Sequence, residues 1–230
     1  MFEALFSKYD RLVLFDTETT GLDFARDEII EFAAIVVEPT GVVQEYDELV
    51  KLTPGNTVPP FISQLTGITD QDLRERGISK TRLCRDIAQM MAGNTLLLAY
   101  NAHFDLSFLF YLLLRDGDPM ILKGKDKLDL LTVYKDRRAY PHKLCNAIDA
   151  YGLTGKVANS HRAVDDVLAT LEVMKAMEQE NADLEKYLNL FGYNPKYGIS
   201  GKPIGSVTYK AQGFRNDNQQ FVVPLYSEQV

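Results

Sequence analysis

The sequence predicts an α/β fold in which a mixed sheet is flanked by helices. Three apolar runs that are joined by short turns come first, at Leu12–Phe15, Glu28–Val37 and Val42–Leu52. Runs of this kind indicate strands, and short turns between them favour antiparallel pairing. Further along the chain, strands alternate with helices, which is typical of parallel pairing. We therefore expect an antiparallel meander that continues into parallel strands.

The elements after the meander are predicted in order from helical spacing, apolar runs and turn residues. A proline-bounded loop, Pro54–Pro60, separates them from the meander. The predicted elements are short helices at Phe61–Leu65 and Asp70–Arg76, a helix at Ser79–Met91, a strand at Thr95–Tyr100, a helix at Phe104–Arg115, a strand within Leu128–Leu131 that ends at Asp129, and helices at Lys143–Tyr151 and Ala163–Glu178.

The C-terminal part of the chain has a different composition. The predicted order there is a helix at Asn181–Asn194, a Gly- and Pro-rich segment at Pro195–Pro203, and a hairpin whose strands Ser206–Ala211 and Gln220–Leu225 flank a polar turn at Gly213–Asn218. A lone hairpin is marginal in water, so we expect it to pack on the body or on a partner. The predicted division is a main domain over 1–180 and an extension over 181–230.

Composition limits the classes of protein that fit. The chain has 230 residues, of which 46% are hydrophobic, enough for a sizeable core. It contains no uninterrupted apolar stretch of about 18 residues, and Met1–Arg11 does not resemble a secretion signal. Cys84 and Cys145 lie far apart in apolar contexts, which predicts two reduced core cysteines in a cytoplasmic protein.

The charge of the chain is acidic overall and uneven along its length. A formal net charge of −7 argues against a protein that coats nucleic acid through a broad basic face. Between Lys123 and Lys143, seven Lys or Arg residues stand against three Asp residues. This segment is the best candidate for phosphate contact, and a solvated helix face explains it equally well.

Two acids follow the first predicted strand. Asp16 and Glu18 point to the same side because strand side chains alternate, and their charges repel unless a cation lies between them. Mg²⁺ or Mn²⁺, which prefer oxygen ligands, would relieve that repulsion. Alone, an Asp-x-Glu pair is more simply explained as two solvated acids at a strand end.

Two later motifs also carry polar groups. Asn101–Asp105 places an acid where a buried strand gives way to a helix, and His161 precedes the acids Asp165 and Asp166 at the start of the last long helix. Each acid has an ordinary explanation as a residue that favours a helix N-terminus. Helical geometry does not choose between Asp165 and Asp166, because both lie equally far from the apolar stripe.

In this order the motifs Asp-x-Glu, Asn-x-x-Phe-Asp and His-x-x-x-x-Asp resemble the DnaQ-like 3′→5′ exonucleases of the DEDDh group, in the ribonuclease H-like superfamily. The resemblance covers about residues 10–180, and extends to Leu65–Thr69 and Leu128–Leu131. The group includes the epsilon subunits of bacterial DNA polymerase III, ribonuclease T and oligoribonuclease. The family pattern selects Asp166 over Asp165.

The resemblance implies a role for each motif residue. Asp16, Glu18 and Asp166 would hold one Mg²⁺ or Mn²⁺ ion, Asp16 and Asp105 would hold a second, and His161 would be the general base. The implied substrate-binding residues are Thr17, Leu22, Leu65, Thr66 and Phe104. Thr66 stands where epsilon subunits carry histidine, which makes the choice of substrate an open question.

The function implied is metal-dependent 3′→5′ hydrolysis of single-stranded DNA ends, which releases nucleoside 5′-monophosphates in proofreading or repair. The expected partners are single-stranded nucleic acid, DNA rather than RNA, and a DNA polymerase or another replication or repair protein, with no membrane. One alternative is a small-RNA exonuclease similar to oligoribonuclease or ribonuclease T. A non-catalytic module that docks on a polymerase is an alternative of another class.

Overall fold

A five-stranded mixed sheet forms the centre of the computed structural model, which describes residues 1–191, 193–194, 198–199, 204–208, 212–216 and 219–223. The strands are β1 (Arg11–Thr19), β2 (Ile29–Glu38), β3 (Gly41–Leu49), β4 (Thr95–Ala99) and β5 (Lys127–Asp129). Their order is β3-β2-β1-β4-β5. The first three pair antiparallel, whereas β4 pairs parallel with both β1 and β5. The predicted meander with added parallel strands is confirmed.

Eight α-helices accompany the sheet within the described residues. They are α1 (Glu3–Phe6), α2 (Pro60–Thr66), α3 (Asp70–Arg76), α4 (Lys80–Met90), α5 (Ala102–Asp116), α6 (Leu130–Arg137), α7 (Leu144–Ala150) and α8 (Ala163–Glu180), with 3-10 turns at Pro119–Leu122 and Leu184–Tyr187. Local capping explains several of these starts: Thr69 and Asp72 form a reciprocal capping box, and Ser79 accepts the N–H of Arg82. Helices α1 and α6 were not predicted from the sequence.

Two apolar cores cover the two faces of the sheet. Val13 and Phe15 of β1 pack with the core that α4 and α5 share, and Leu12 and Leu14 pack with the core beneath α8. Because β1 is covered on both faces, its first half is a continuous apolar run rather than an alternating pattern. No helix in the described ranges combines the length and the apolar character that a membrane crossing requires.

The predicted helix at Asn181–Asn194 is wrong for the residues that the structure describes. The described part of that range contains the 3-10 turn at Leu184–Tyr187 and a two-residue strand at Tyr193–Asn194, and is otherwise irregular. Asn189 has a left-handed backbone with φ of 61°; its N–H donates to the Lys127 carbonyl at 2.7 Å and its Oδ1 accepts the Lys127 N–H at 3.0 Å. Phe191 is buried in the core. Hydrogen bonds to β5 thus take the place of helical hydrogen bonds. Residue 192 lies outside the described residues.

The C-terminal hairpin is present, but its first strand is shifted from the predicted position. It pairs β8 (Gln212–Asn216) with β9 (Gln219–Val223), after a short pair formed by β6 (Tyr193–Asn194) and β7 (Gly198–Ile199). The predicted turn at Gly213–Asn218 is therefore strand as far as Asn216. Ser206–Thr208, predicted as strand, is not strand: the Val207 N–H closes a turn on the Ile204 carbonyl at 2.9 Å, and both residues are buried in the core. Residues 209–211 and 224–225 lie outside the described residues, and the division at residue 180 stays a prediction.

Two smaller expectations need correction. Cys84 is buried as predicted, but Cys145 is exposed because α7 buries Ala147 and Ile148 instead. Lys123–Lys143 is not a free basic face. Its buried Lys127 donates to the Leu122 carbonyl at 3.1 Å, and Arg137 and Arg138 form ion pairs with acids near the end of α8.

A buried ion pair fastens the loop that follows β1. The carboxylate of Glu28 accepts from Lys80 Nζ at 2.6 Å and from the N–H of Thr53 at 2.9 Å, while its backbone pairs with Thr20. Removing one partner of a buried pair leaves an uncompensated charge. We expect Lys80→Met to lower the free energy of unfolding by about 3 kcal/mol. Urea denaturation measures this, and an unchanged value would mean that the pair contributes nothing.

Candidate active site

The first two candidate acids lie on the last residues of β1. Asp16 and Glu18 fall within the strand, which runs to Thr19, so their side chains share one side as predicted. Glu18 is paired across the sheet with Glu31 of β2, and the regular register ends between Glu18 and Thr19. Both acids are half-buried. The C-terminal end of β1 therefore presents two carboxylates at one edge of the sheet.

Asp166 of α8 joins these acids from a distant part of the chain. Carboxylate oxygens of Asp16, Glu18 and Asp166 all lie within 4.8 Å of one another. Asp166 is buried and accepts from Asn159 Nδ2 at 2.7 Å, whereas Asp165 accepts from the Ser160 hydroxyl at the surface. The structure thus groups Asp166, and not Asp165, with the acids of β1.

Asp105 is held beside this group by a residue of β1. Its Oδ1 accepts from both the N–H and the hydroxyl of Thr17, at 3.0 and 2.8 Å. The turn before α5 is fixed by Asp129, whose Oδ1 accepts the N–H groups of Asn101 and Ala102 at 3.0 and 3.1 Å. From the sequence, Asp129 is predicted only as the end of a strand. Its position after a short strand was the available signal for a cap.

His161 lies in the loop that leads into α8. It is exposed and has a φ of 58°, in the left-handed region that is uncommon for residues other than glycine. Burial raises the pKa of the Asp166 carboxyl, and the hydrogen bond from Asn159 and then the charge of His161 partly oppose that rise. The structure therefore places the histidine at the solvent-exposed approach to the helix that carries Asp166.

Burial and neighbouring negative charges disfavour ionisation of the four acids. Burial, followed by the charges of its acidic neighbours, raises the pKa of Asp16 well above its ordinary value. Burial and the charge of Asp166 raise the pKa of Glu18 to about 8, and burial raises that of Asp105 to about 7. Three clustered carboxylates form the hard oxygen donor set that Mg²⁺ and Mn²⁺ prefer. The residues present therefore fit a divalent cation.

These shifts predict how the metal-free protein responds to pH. The folded protein keeps protons on Glu18 and Asp105 at pH values where the unfolded chain has lost them, so stability falls as pH rises. For Glu18 the window runs from the ordinary glutamate pKa of 4.5 to about 8. We expect the Tm in a chelator to drop by about 5 °C across it, and Mg²⁺ to restore the loss at the upper end. Thermal unfolding followed by circular dichroism tests this, and a Tm that rises across the window would contradict it.

The predicted substrate-binding residues occupy different environments. Leu22 is 83% exposed, Leu65 on α2 is 39% exposed, and Phe104 is half-buried against Phe108, with ring centroids 4.9 Å apart. Thr17 is buried and bonded to Asp105. Their contact with a substrate stays a prediction.

Two further residues of α2 have contrasting environments. Thr66 is buried, donates its hydroxyl to the Ile62 carbonyl at 2.9 Å and accepts the N–H of Ile68, so its hydroxyl bonds within its own turn. Phe61 was not singled out, yet it is 70% exposed one helical turn before Leu65. The four-residue spacing was the signal that would have found it.

Known exonucleases are similar to this chain over most of its length. A family model described as exonuclease (RNase_T) matches residues 13–174. The DNA polymerase III subunit epsilon of Treponema pallidum is 33% identical over 173 residues, which cover 73% of this chain and 76% of that protein. The 3′-5′ exonuclease DinG of Bacillus subtilis is 29% identical over 226 residues, which cover 94% of this chain and 22% of DinG.

Solved structures share the fold. E. coli exonuclease I in complex with a dA16 oligonucleotide superposes with a TM-score of 0.69 at 24% sequence identity. The match covers 77% of this chain and 42% of that one. The predicted ribonuclease H-like fold is thereby confirmed. The chain spans about three quarters of the epsilon subunit, but less than half of exonuclease I and about a fifth of DinG.

Proposed function

This chain belongs to the exonuclease family RNase_T, and from that premise we propose that it hydrolyses single-stranded DNA from the 3′ end and releases nucleoside 5′-monophosphates. The observation that carries the proposal is the cluster of Asp16, Glu18 and Asp166 on one edge of the sheet. A fold that used this edge only for docking would have no reason to bring together carboxylates that repel one another.

The acids would bind two divalent ions, Mg²⁺ or Mn²⁺. Asp16, Glu18 and Asp166 would hold one, and Asp16 with Asp105 the other. When bound, such ions supply charge neutralisation at the scissile phosphate and lower the pKa of a water molecule. Thr17 would keep Asp105 oriented, since both of its hydrogen bonds end on the same carboxylate oxygen.

His161 would act as the general base. A ring nitrogen of His161 would accept the proton of the attacking water, whose oxygen adds to phosphorus as the bond from phosphorus to the 3′ oxygen breaks. The exposed position of His161 beside Asp166 supports this role, because the attacking water must enter from solvent. Leu22, Leu65 and Phe104 would contact the unstacked terminal base, with Thr17 and Thr66 nearby.

DNA is the proposed substrate for two reasons. A relative of this chain is a subunit of DNA polymerase III. E. coli exonuclease I, which shares the fold, has been solved in complex with a DNA oligonucleotide. A DNA polymerase or another replication or repair protein is the partner class that fits these names. Both cysteines are free, which agrees with the cytoplasmic location that we propose.

A direct assay separates the candidate functions. End-labelled single-stranded DNA, single-stranded RNA and a duplex with a mismatched 3′ end are each incubated with the protein, in Mn²⁺, in Mg²⁺ and in chelator. We expect metal-dependent loss of single nucleotides from the 3′ end of the DNA. Digestion of RNA alone would overturn the DNA proposal, and digestion of none would favour a docking module.

A further inference from the structure

The helix that carries Asp166 begins without a capping side chain of its own. Arg162, the residue before α8, makes no side-chain cap hydrogen bond. The carboxylate of Glu31 takes that place: its Oε2 accepts the N–H of Ala163 at 2.8 Å. Glu31 belongs to β2 and is wholly buried. Caps normally come from the residue next to the helix, whereas this one is fixed to the sheet.

The same carboxylate also holds the residue that precedes the helix. Arg162 Nε donates to Glu31 Oε1 at 2.8 Å, and Arg162 Nη2 donates to the same oxygen. Guanidinium donors in a fixed planar fork restrict the direction of approach more than a single ammonium would. Glu31 therefore fixes both the first turn of α8 and the backbone just before it.

The bonds of Glu31 affect two parts of the proposed active site, the start of α8 and the loop that carries His161. Glu31 lies opposite Glu18 in the β1–β2 pairing, so its buried side chain bonds the strand next to β1 to the start of the helix that carries Asp166. His161 directly precedes Arg162 and has a left-handed backbone, which a histidine keeps only when its surroundings hold it. The hydrogen bonds from Arg162 to Glu31 restrain the backbone directly after His161.

We propose that Glu31 and Arg162 are positioning residues for hydrolysis: they set the spacing between the β1 carboxylates and Asp166, and they hold His161 at the mouth of the site. This role rests on the proposed exonuclease function. Neither side chain would touch the substrate or the reacting atoms.

The chain offers a matched control for this pair. Arg11 of β1 and Glu38 of β2 form an ion pair at 3.3 Å, at the opposite end of β1 from the acids. The side chains of Arg11 and Arg162 are each 36% exposed. Arg11→Lys therefore reproduces the chemical change of Arg162→Lys away from the acids.

The first measurement needs neither metal nor substrate. Amide hydrogen exchange is followed in the metal-free wild type, Glu31→Gln, Arg162→Lys and Arg11→Lys. We expect exchange over residues 162–167 to rise at least about tenfold in the first two variants and to stay unchanged in Arg11→Lys, with β1 protected in all. Unchanged exchange at the start of α8 in both variants would overturn the proposal.

The second measurement is the kinetics of DNA digestion by the same proteins. We expect Arg162→Lys and Glu31→Gln to lower kcat about tenfold or more with KM within about twofold, and Arg162→Met to lose more than Arg162→Lys. A wild-type kcat in active Arg162→Lys protein, or a change in KM alone, would overturn the positioning role. A wild type that digests nothing would overturn the proposed function and this role with it, whereas the exchange data would still show whether Glu31 holds the helix.

Discussion

Replacing Asp16 with asparagine is expected to reduce hydrolysis by at least about a thousandfold, which corresponds to about 4 kcal/mol of transition-state stabilisation. Asp16 is the acid that both proposed ions would share, so the change removes a ligand and a negative charge from each. Burial, followed by the charges of Asp105, Asp166 and Glu18, raises its pKa well above the ordinary value, because three other carboxylates lie close to it.

The same substitution should affect stability in the opposite direction. Without metal, Asp16→Asn removes one of several carboxylates that repel one another, so we expect its Tm in chelator at pH 8 to exceed that of the wild type by about 3 °C. Single-turnover digestion and thermal unfolding measure the two effects. Asp10→Asn, an exposed acid before β1, is the control and should change neither. An inactive variant with a lowered Tm would instead indicate simple unfolding.

Replacing His161 with alanine is expected to lower kcat by about a hundredfold to ten-thousandfold, the usual contribution of a general base. Affinity for Mn²⁺, measured by calorimetry, should stay within about threefold, because the clustered ligand atoms come from Asp16, Glu18 and Asp166. The separation of the two effects distinguishes a base from a ligand.

A second histidine serves as the comparison for His161. The ring of His142 contacts the Arg138 carbonyl at 2.9 Å and lies outside the acidic cluster. We expect His142→Ala to keep full turnover. Unchanged turnover in His161→Ala would refute the general-base role, and loss of Mn²⁺ binding in that variant would mean that His161 is needed to hold the metal.

Local rules of chain geometry predicted much of the fold and part of the site. Strand alternation correctly placed Asp16 and Glu18 on one side of β1, and capping signals located the starts of α3 and α4. Helical geometry alone did not show which of Asp165 and Asp166 belongs to the site. The choice depends on how α8 lies against β1, which is a long-range property.

What the sequence did not predict depends on contacts between distant residues. The bond from Ala163 to Glu31 spans 132 positions, and no spacing rule connects a buried strand acid with a helix start so far along the chain. The mistaken C-terminal helix has a similar origin. Asn189 pairs with the backbone of Lys127, 62 residues earlier, and this pairing overrides the helical preference of the segment.

The central claim is that this fold gathers carboxylates in order to hold divalent ions for phosphodiester hydrolysis. A crystal of the protein soaked in Mn²⁺ and measured for anomalous scattering tests it most directly. We expect an anomalous peak between the carboxylates of Asp16, Glu18 and Asp166. Manganese bound only elsewhere, with these three side chains contacted by water or by a protein cation, would contradict the claim.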